Sequence, residues 1–468
     1  MTIRKTALGP KLLIAGATFL AISACEIQPP PSNTDIMTQA LPPGTVVPAA
    51  WSTTGAPTSA VGGNWVASFR DPNMTSLVNE ALRNNRDLAA AAARVEAALQ
   101  TVVIAGAPIL PQVGFEAGAQ ASRNYTRNRN SQERGALLVA SWELDVWGRL
   151  RSDRAASVAV ARSVADDAIY AQQSIAATVA RSWIANIQLR RLKSVSIKSA
   201  DIYAHLLRLT EEQVAEGLVS DFDVAQASSR LNAARAATSE IETTQNEAIG
   251  GLELLLGRYP ALKLRATQSY PRMPGALPAS GLPLSLLDRR PDVAAARNRV
   301  IAAFYKVDVA KLTRLPGISI SAAGGSLLDP DFLLTGANPQ FLRIGVSLLQ
   351  PIFAGGALEA DIARMNAKQA EAVANYGQTV LKAFKEVETA LANERVLRRQ
   401  LANWRQSLTD ATSALEFAND NYIAGTIDML GLLQLQEFQI GRQVDVIETE
   451  ADLLSNRVSL YLALGEPF

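Results

Sequence analysis

The second half of this chain repeats the first half at a nearly constant offset. Matching residues lie 208 positions apart through most of each half: Gly148 with Gly356, Arg190-Arg191 with Arg398-Arg399, Gly217 with Gly425, and Leu256-Gly257 with Leu464-Gly465. Further upstream the offset is 205, as for Asp87 with Asp292 and Pro111 with Pro316. A register this long predicts one elongated body that is built twice from the same unit, rather than two or three unrelated domains.

Each copy contains two segments that alternate between apolar and polar side chains. In the first copy Val113, Phe115 and Ala117 alternate with Gly114 and Glu116. Similar alternation occurs at 138–144, 318–322 and 344–348, so we predict four strands, each with one apolar face. Such strands suit a transmembrane barrel, and a half-buried sheet in a soluble domain is the alternative. The charged segment 123–134 and the segment 329–340 are predicted to be loops.

The rest of each copy is predicted to be helical. The segments 149–215 and 357–423 contain no proline and would each reach about 100 Å as one helix. Each is followed by a glycine turn and a second helix, which predicts two antiparallel hairpins with tips near 217–221 and 423–430. The second hairpin carries an apolar seam at 440–461, whereas the matching stripe from Asn232 to Glu253 is polar. We therefore expect the hairpins to face different surroundings, one of them wet.

The N-terminus predicts export and a lipid anchor. A basic start precedes the apolar run 12–24, which is too short to span a bilayer but suits a signal peptide. The run ends in Ile22-Ser23-Ala24 before Cys25, the only cysteine, and this resembles a bacterial lipobox. An ordinary secretory signal with an incidental cysteine is the alternative. The proline-rich stretch that follows is expected to be an extended tether.

Composition excludes several classes of function. One histidine, His205, and one cysteine leave no material for His- or Cys-based metal sites, catalytic relays or a disulfide framework. The 45 basic and 44 acidic residues nearly balance, which offers no electrostatic case for nucleic acid binding. We expect no enzyme activity, no catalytic residue, no metal, and no cofactor beyond the covalent lipid at Cys25.

Four motifs stand out in the sequence: Trp142-Glu143-Leu144-Asp145-Val146-Trp147-Gly148-Arg149, Gly217-Leu218-Val219-Ser220-Asp221-Phe222-Asp223, Leu287-Asp288-Arg289-Arg290-Pro291-Asp292-Val293, and Pro351-Ile352-Phe353-Ala354-Gly355-Gly356. Together they resemble motifs of TolC-like outer-membrane factors, particularly the lipidated branch related to OprM and NodT. The resemblance covers roughly 65–468. The chain departs from the family at Ala294-Ala295-Ala296, which lacks a glutamate, and at Leu315-Pro316, which lacks an aromatic residue before the proline.

The resemblance implies a mainly α-helical homotrimer with a transmembrane β portion. Three chains would supply a 12-stranded β-barrel, which a long α-helical coiled-coil barrel continues into the periplasm. The protein would be a passive exit duct in the outer membrane of a Gram-negative bacterium. Its implied partners are outer-membrane lipid, a periplasmic adaptor protein and an inner-membrane pump of the RND type. Glu26, in place of an aspartate, favours the outer membrane for the lipidated protein.

The same resemblance directs attention to the hairpin tips. Asp428 matches the position of a gating acid in the lipidated branch, and its alternative role is to cap the following helix. Gly217 and Gly425 are expected to form the turns at which an adaptor would dock. Asp221 and Asp223 are weaker candidates for the gate and are better explained as caps. The pairs Arg190-Arg191 and Arg398-Arg399 are interpreted as solvated helix faces.

The expected organisation therefore has five parts. They are a signal peptide (1–24), a lipidated proline-rich tether (25–64), a first repeat (65–257), a proline-rich equatorial linker (258–283) and a second repeat (284–468). A periplasmic coiled-coil scaffold lipoprotein without a channel is the alternative function, and it would not require the alternating strands. An envelope enzyme would need a constellation of polar residues that the sequence does not present.

Overall fold

A computed structural model describes residues 28–52, 63–124, 129–275, 277, 283–328 and 340–466. The helices are α1 (Asn33–Ala40), α2 (Trp65–Ser68), α3 (Pro72–Asn84), α4 (Arg86–Gly106), α5 (Arg149–Ala215), α6 (Asp221–Leu255), α7 (Pro283–Arg289), α8 (Pro291–Leu312), α9 (Ala357–Ile423) and α10 (Met429–Ala463). The strands are β1 (Gln112–Asn124), β2 (Arg129–Leu144), β3 (Gly317–Leu328) and β4 (Gln340–Leu349). The predicted 67-residue helices and all four predicted strands are confirmed.

The chain divides into two compact units, and each unit takes matching pieces from both repeats. The first unit comprises 1–43, 94–165 and 295–378, and it includes all four strands. The second unit comprises 44–93, 166–294 and 379–468, and it includes both hairpin tips and the proline-rich linker. Each repeat therefore contributes segments to both units, and neither repeat forms one compact unit by itself.

The first unit contains one antiparallel sheet in the order β1-β2-β3-β4. Phe115 lies opposite Leu138, which lies opposite Gly324, which lies opposite Leu342; the next row is Val113, Ala140, Ala322 and Ile344. Because directly opposed residues share a face, both rows place apolar groups on the same side of all four strands. The alternation in the sequence therefore produces one continuous apolar face.

The strands extend further than their apolar alternation. Residues 123–134 were predicted to be a loop, but Asn124 pairs with Arg129 and the ladder continues through Arg134 with Ala119. That prediction was wrong for 123–124 and 129–134, because polar side chains do not prevent strand pairing where the hydrogen-bonding partner is already in register, and 125–128 lies outside the described residues. Of the second predicted loop, 329–339 lies outside the described residues, and Gln340 begins β4.

In the second unit each pair of long helices is antiparallel. Asn456 Nδ2 donates to the Ala390 carbonyl (2.9 Å), and Leu401 packs with Val446, so positions converge toward the tip of the second hairpin. Lys193 pairs with Glu242, and Ser196 with Thr238, in the first hairpin. The apolar seam predicted on α10 is largely buried from Ile447 onward. The polar stripe on α6 is largely exposed, except that its last member, Glu253, is buried.

The proline-rich N-terminal stretch is not simply an extended tether. Residues 32–41 contain no proline, and Ser32 and Asp35 form a capping box there at the start of α1. Helix α1 buries Ile36. The Ala40 carbonyl packs closely against Gly377, and a Cβ added to Gly377 would lie only 2.2 Å from the Ala40 carbonyl oxygen. Farther along, Trp51 contacts Phe384 edge-on, and the Ser52 hydroxyl donates to Glu388 (2.6 Å). Local capping and burial therefore override the extended bias of the prolines.

Among the described residues, one helical stretch, Arg86–Ile109, is long and apolar enough to cross a membrane. Length and composition alone are weak grounds for a span. Its side chains Leu99, Val103 and Ile104 are exposed within the single chain.

Candidate functional site

Both hairpin tips end their first helix in the same way. In the second hairpin Gly425 has φ 71°, its N–H donates to the Tyr422 carbonyl, and the Thr426 N–H donates to the Asn421 carbonyl. Gly217 has φ 74°, and the corresponding bonds run to Val214 and Gln213. This is the Schellman motif, in which a left-handed residue satisfies the last carbonyls of a helix. Both glycines therefore form the turns that the sequence predicted.

Asp428 caps the helix that follows the second tip. It is the N-cap residue of α10, and its Oδ1 accepts the Gly431 N–H at 2.8 Å. A Cβ on Gly431 would lie 2.9 Å from Ile427 and 3.2 Å from Asp428 Oδ1, so glycine keeps this cap compact. The capping role considered for Asp428 is thus observed, and the carboxylate remains on an exposed tip, where it is also free to face solvent.

The first tip caps the helix that follows it with different residues. Ser220 precedes α6, and Asp223 Oδ2 accepts both the Ser220 N–H (2.9 Å) and its hydroxyl (2.8 Å). These bonds, the backbone one first, hold the pKa of Asp223 below its usual range. Asp221 is the first residue of α6, where its negative charge favours the N-terminal end of the helix. Ser220 and Asp428 are 208 positions apart, so they occupy the same position in the two repeats. The second tip has an aspartate where the first tip has a serine.

The tips also expose apolar side chains and contact each other. Leu218, Phe222 and Ile423 are each at least two-thirds exposed. Gln213 Nε2 donates to the Tyr422 hydroxyl at 3.1 Å, which joins the ends of the two hairpins. Farther from the tips, Arg230 forms an ion pair with Glu437. The tips are therefore tied within one chain, while their outermost side chains remain available to other molecules.

The linker after the first repeat is held by buried polar groups. Glu253 accepts the backbone N–H groups of Leu262, Lys263 and Leu264 at 2.8 to 3.0 Å. Burial alone would raise the pKa of Glu253, but these hydrogen bonds outweigh it and the net direction is downward. The sequence did not predict that Glu253 holds the linker, because this residue falls on the polar stripe of α6.

The arginine pair of the first repeat also holds the linker. Arg190 donates to the Ala266 carbonyl, and Arg191 pairs with Glu450 at 2.5 Å while lying 4.7 Å from the centre of the Tyr270 ring. In the second repeat, Arg398 pairs with buried Glu394. The interpretation as solvated helix faces was therefore wrong for Arg190, Arg191 and Arg398, because each of these guanidinium groups reaches a specific partner, whereas Arg399 is exposed as predicted.

The first motif of the sequence forms the junction between sheet and helix. Asp145 accepts the N–H groups of Leu150 and Arg151, both at 2.9 Å, and so caps α5. Glu143 binds Arg149 with both oxygens. The indole N–H of Trp142 donates to the Ile109 carbonyl, and that of Trp147 to the Pro316 carbonyl. Tryptophans with one polar contact are typical of the borders of an apolar band.

Cys25, the predicted lipid anchor, lies outside the described residues, as does the predicted signal peptide.

Comparisons with known proteins agree with this architecture. The model of the outer membrane efflux protein family matches residues 77–258 and 282–466. The pyoverdine export outer membrane protein OpmQ of Pseudomonas aeruginosa is 30% identical over 461 residues, covering 95% of this chain and 94% of OpmQ. The toluene efflux pump outer membrane protein TtgF of Pseudomonas putida is 29% identical, with 86% and 85% covered.

Solved structures match over almost the whole chain. The outer-membrane channel OprN superimposes with a TM-score of 0.80 at 26% identity, covering 91% of this chain and 99% of OprN. The CmeC outer membrane channel of Campylobacter jejuni gives a TM-score of 0.83 at 22% identity, with 91% and 94% covered, and supports the fold alone.

Proposed function

The chain belongs to the outer membrane efflux protein family, and we propose that it is the exit duct of a tripartite export system. The observation that carries this proposal is the four-stranded sheet, whose apolar rows run unbroken from β1 to β4. A soluble sheet would cover such a face with a second layer, whereas side chains such as Val113, Phe115 and Ile344 are about 70% exposed here. Lipid is the partner that suits this face, and the scaffold alternative does not account for it.

A single chain cannot close this barrel, so the duct is a homotrimer. The outer edges of β1 and β4 carry unpaired backbone groups, which lipid cannot satisfy. Three chains join these edges and give twelve strands, an even number within the usual range for bacterial barrels. The paired helical hairpins then form the periplasmic part. Cys25 carries the lipid that adds a membrane anchor to each chain.

The duct has no chemistry of its own and acts with two partners. The exposed tips around Gly217 and Gly425 dock a periplasmic adaptor, which connects the duct to an inner-membrane pump of the RND type that supplies the energy. Relatives are named for pyoverdine export and for toluene efflux, so we infer that small organic molecules pass through this duct too. Reconstitution in a planar bilayer tests the core of this proposal. A protein that forms no conducting pore as a membrane-extracted oligomer is not a duct.

Asp428 both caps α10 and contributes negative charge at the narrow end of the duct. In a trimer three such carboxylates surround one axis, where they attract cations and repel one another. We expect Asp428→Asn to keep the cap, because asparagine caps as well as aspartate, yet to reduce cation selectivity. Asp428→Ala loses the cap as well, at a cost of about 1 kcal/mol.

Planar-bilayer recordings separate these two roles. The matched control is Glu371→Gln, an exposed acid near the start of α9 and remote in sequence from both tips, which should leave selectivity unchanged. If Asp428→Asn conducts with unaltered conductance and selectivity, the residue is a cap only and the gate assignment fails.

A further inference from the structure

A cationic groove lies in the second unit, between α5, α6 and the linker that follows α6. It encloses about 550 Å³. Its charged lining consists of Arg190, Lys193, Lys198 and Arg265, and no carboxylate is among the residues that line it. Lys198 and Arg265 are exposed at its mouth. Four cations around one concave surface favour an anionic occupant.

Two of these cations are already held in place by the protein. Arg190 donates to the Ala266 carbonyl, which orients its guanidinium along the linker. Lys193 pairs with Glu242 at 2.8 Å, and that carboxylate is half exposed, so solvent weakens the pair. The positive charge of the groove is therefore positioned by the fold and is only partly neutralised.

The second repeat shows that this lining is not needed to pack the hairpin. At the positions matching Asn186 and Ile249 it has the buried ion pair of Glu394 and Arg457 (2.6 Å). At the positions matching Lys193 and Gln245 it has Leu401 and Leu453, which pack together. The two copies began with the same framework, so the open, cationic lining belongs to the first copy alone.

We propose that this groove binds an acidic peptide segment. Carboxylate side chains of the segment pair with Lys198 and Arg265 at the mouth and with Lys193 inside. The groove is much larger than a single phosphate or acetate ion, so a segment that carries several carboxylates can reach more than one of its cations. The site is separate from the tips and does not depend on the export function.

Titration calorimetry on the full-length protein in detergent tests this assignment. The probe is a synthetic peptide of alternating glutamate and alanine, and its glutamine counterpart is the control ligand. We expect the acidic peptide to bind at least about tenfold more tightly than the glutamine peptide, with an affinity that falls as salt rises. Equal binding of the two peptides would overturn the proposal.

Variants locate the binding. Lys198→Gln combined with Arg265→Gln should weaken the acidic peptide about tenfold, whereas Lys368→Gln, on an exposed face of α9, should change nothing. Unchanged affinity in the double variant contradicts the site.

Two further outcomes also contradict it. Inorganic phosphate that displaces the peptide and binds as tightly would make the groove a simple anion site. A double variant whose oligomer dissociates at lower temperature would make the groove a contact between copies of this chain.

Discussion

Glu466 carries the clearest pH-dependent charge in the described chain. Its side chain is 4% exposed, and this burial raises its pKa to about 7, although Arg289 and Arg457 act in the opposite direction. The folded protein therefore holds this proton more tightly than the unfolded chain does. The resulting stabilisation is complete below the ordinary glutamate pKa near 4.5 and is lost as the pH rises through about 7.

We expect the melting temperature of the protein to fall between pH 5 and pH 8 and Glu466→Gln to flatten that fall. Glutamine mimics the protonated acid, so the variant should match the parent at pH 5 and exceed it at pH 8. Thermal unfolding followed by circular dichroism measures both. Glu359→Gln, an exposed site, serves as the control and should keep the parental slope. An identical slope in Glu466→Gln would show that another group titrates.

Side chains whose partners lie in distant segments could not be assigned a role from the sequence. Gly217 and Gly425 were predictable, because a glycine after a long helix has one common use. Glu253 and Arg190 were not, because their partners lie in the linker, and only the folded chain brings those carbonyl and N–H groups to them. The cap at Asp428 was predicted as an alternative, but its exchange with Ser220 became clear only from the two geometries.

At the scale of elements, one ion pair connects three segments. Arg457 on α10 and Glu394 on α9 are almost fully buried and lie 2.6 Å apart, and Arg457 also donates to the Pro274 carbonyl of the linker. Burial of two charges is tolerated when each compensates the other, and removal of one partner is costly.

We expect Glu394→Gln to destabilise the protein by about 3 kcal/mol, because the buried guanidinium loses its main compensating charge. Asp361→Asn is the matched control, since it removes an exposed pair with Arg364 and should cost less than about 1 kcal/mol. Melting temperatures in one detergent compare the two. Equal, small shifts would mean that water reaches the buried pair.

The elements themselves were highly predictable, for physical reasons. Proline-free segments bounded by glycine gave the two longest helices, Arg149–Ala215 and Ala357–Ile423, to within a residue. Strand cores followed from period-two alternation. The strand ends and α1 were missed, because pairing in register and a local capping box outweigh the polar and proline-rich composition that suggested loop and tether.

At the scale of the whole molecule, the exposed apolar surfaces of one chain require partners. Lipid suits the face of the sheet, but it cannot satisfy the unpaired backbone groups at the open edges of β1 and β4. The exposed Leu99, Val103 and Ile104 on α4 form a further apolar surface. In the proposed trimer, neighbouring copies of the chain would cover both, because edges pair with edges and apolar helix faces bury one another. The proposed trimer is thus an assembly in which the unsatisfied edges and apolar surfaces of one chain find partners.

Cysteines on the two edges test this assembly. Val113 and Phe115 on β1 and Ile344 and Val346 on β4 share one face of the sheet, so we expect at least one of the four β1–β4 cysteine pairs to form a disulfide between chains. On a non-reducing gel that pair should give a covalent trimer that reductant returns to monomer.

The control pair, Phe115→Cys with Leu138→Cys, joins directly opposed residues of one chain and should remain monomeric. If the control oxidises but no edge pair yields a band above the monomer, β1 and β4 of different chains do not meet, and the twelve-stranded barrel is wrong.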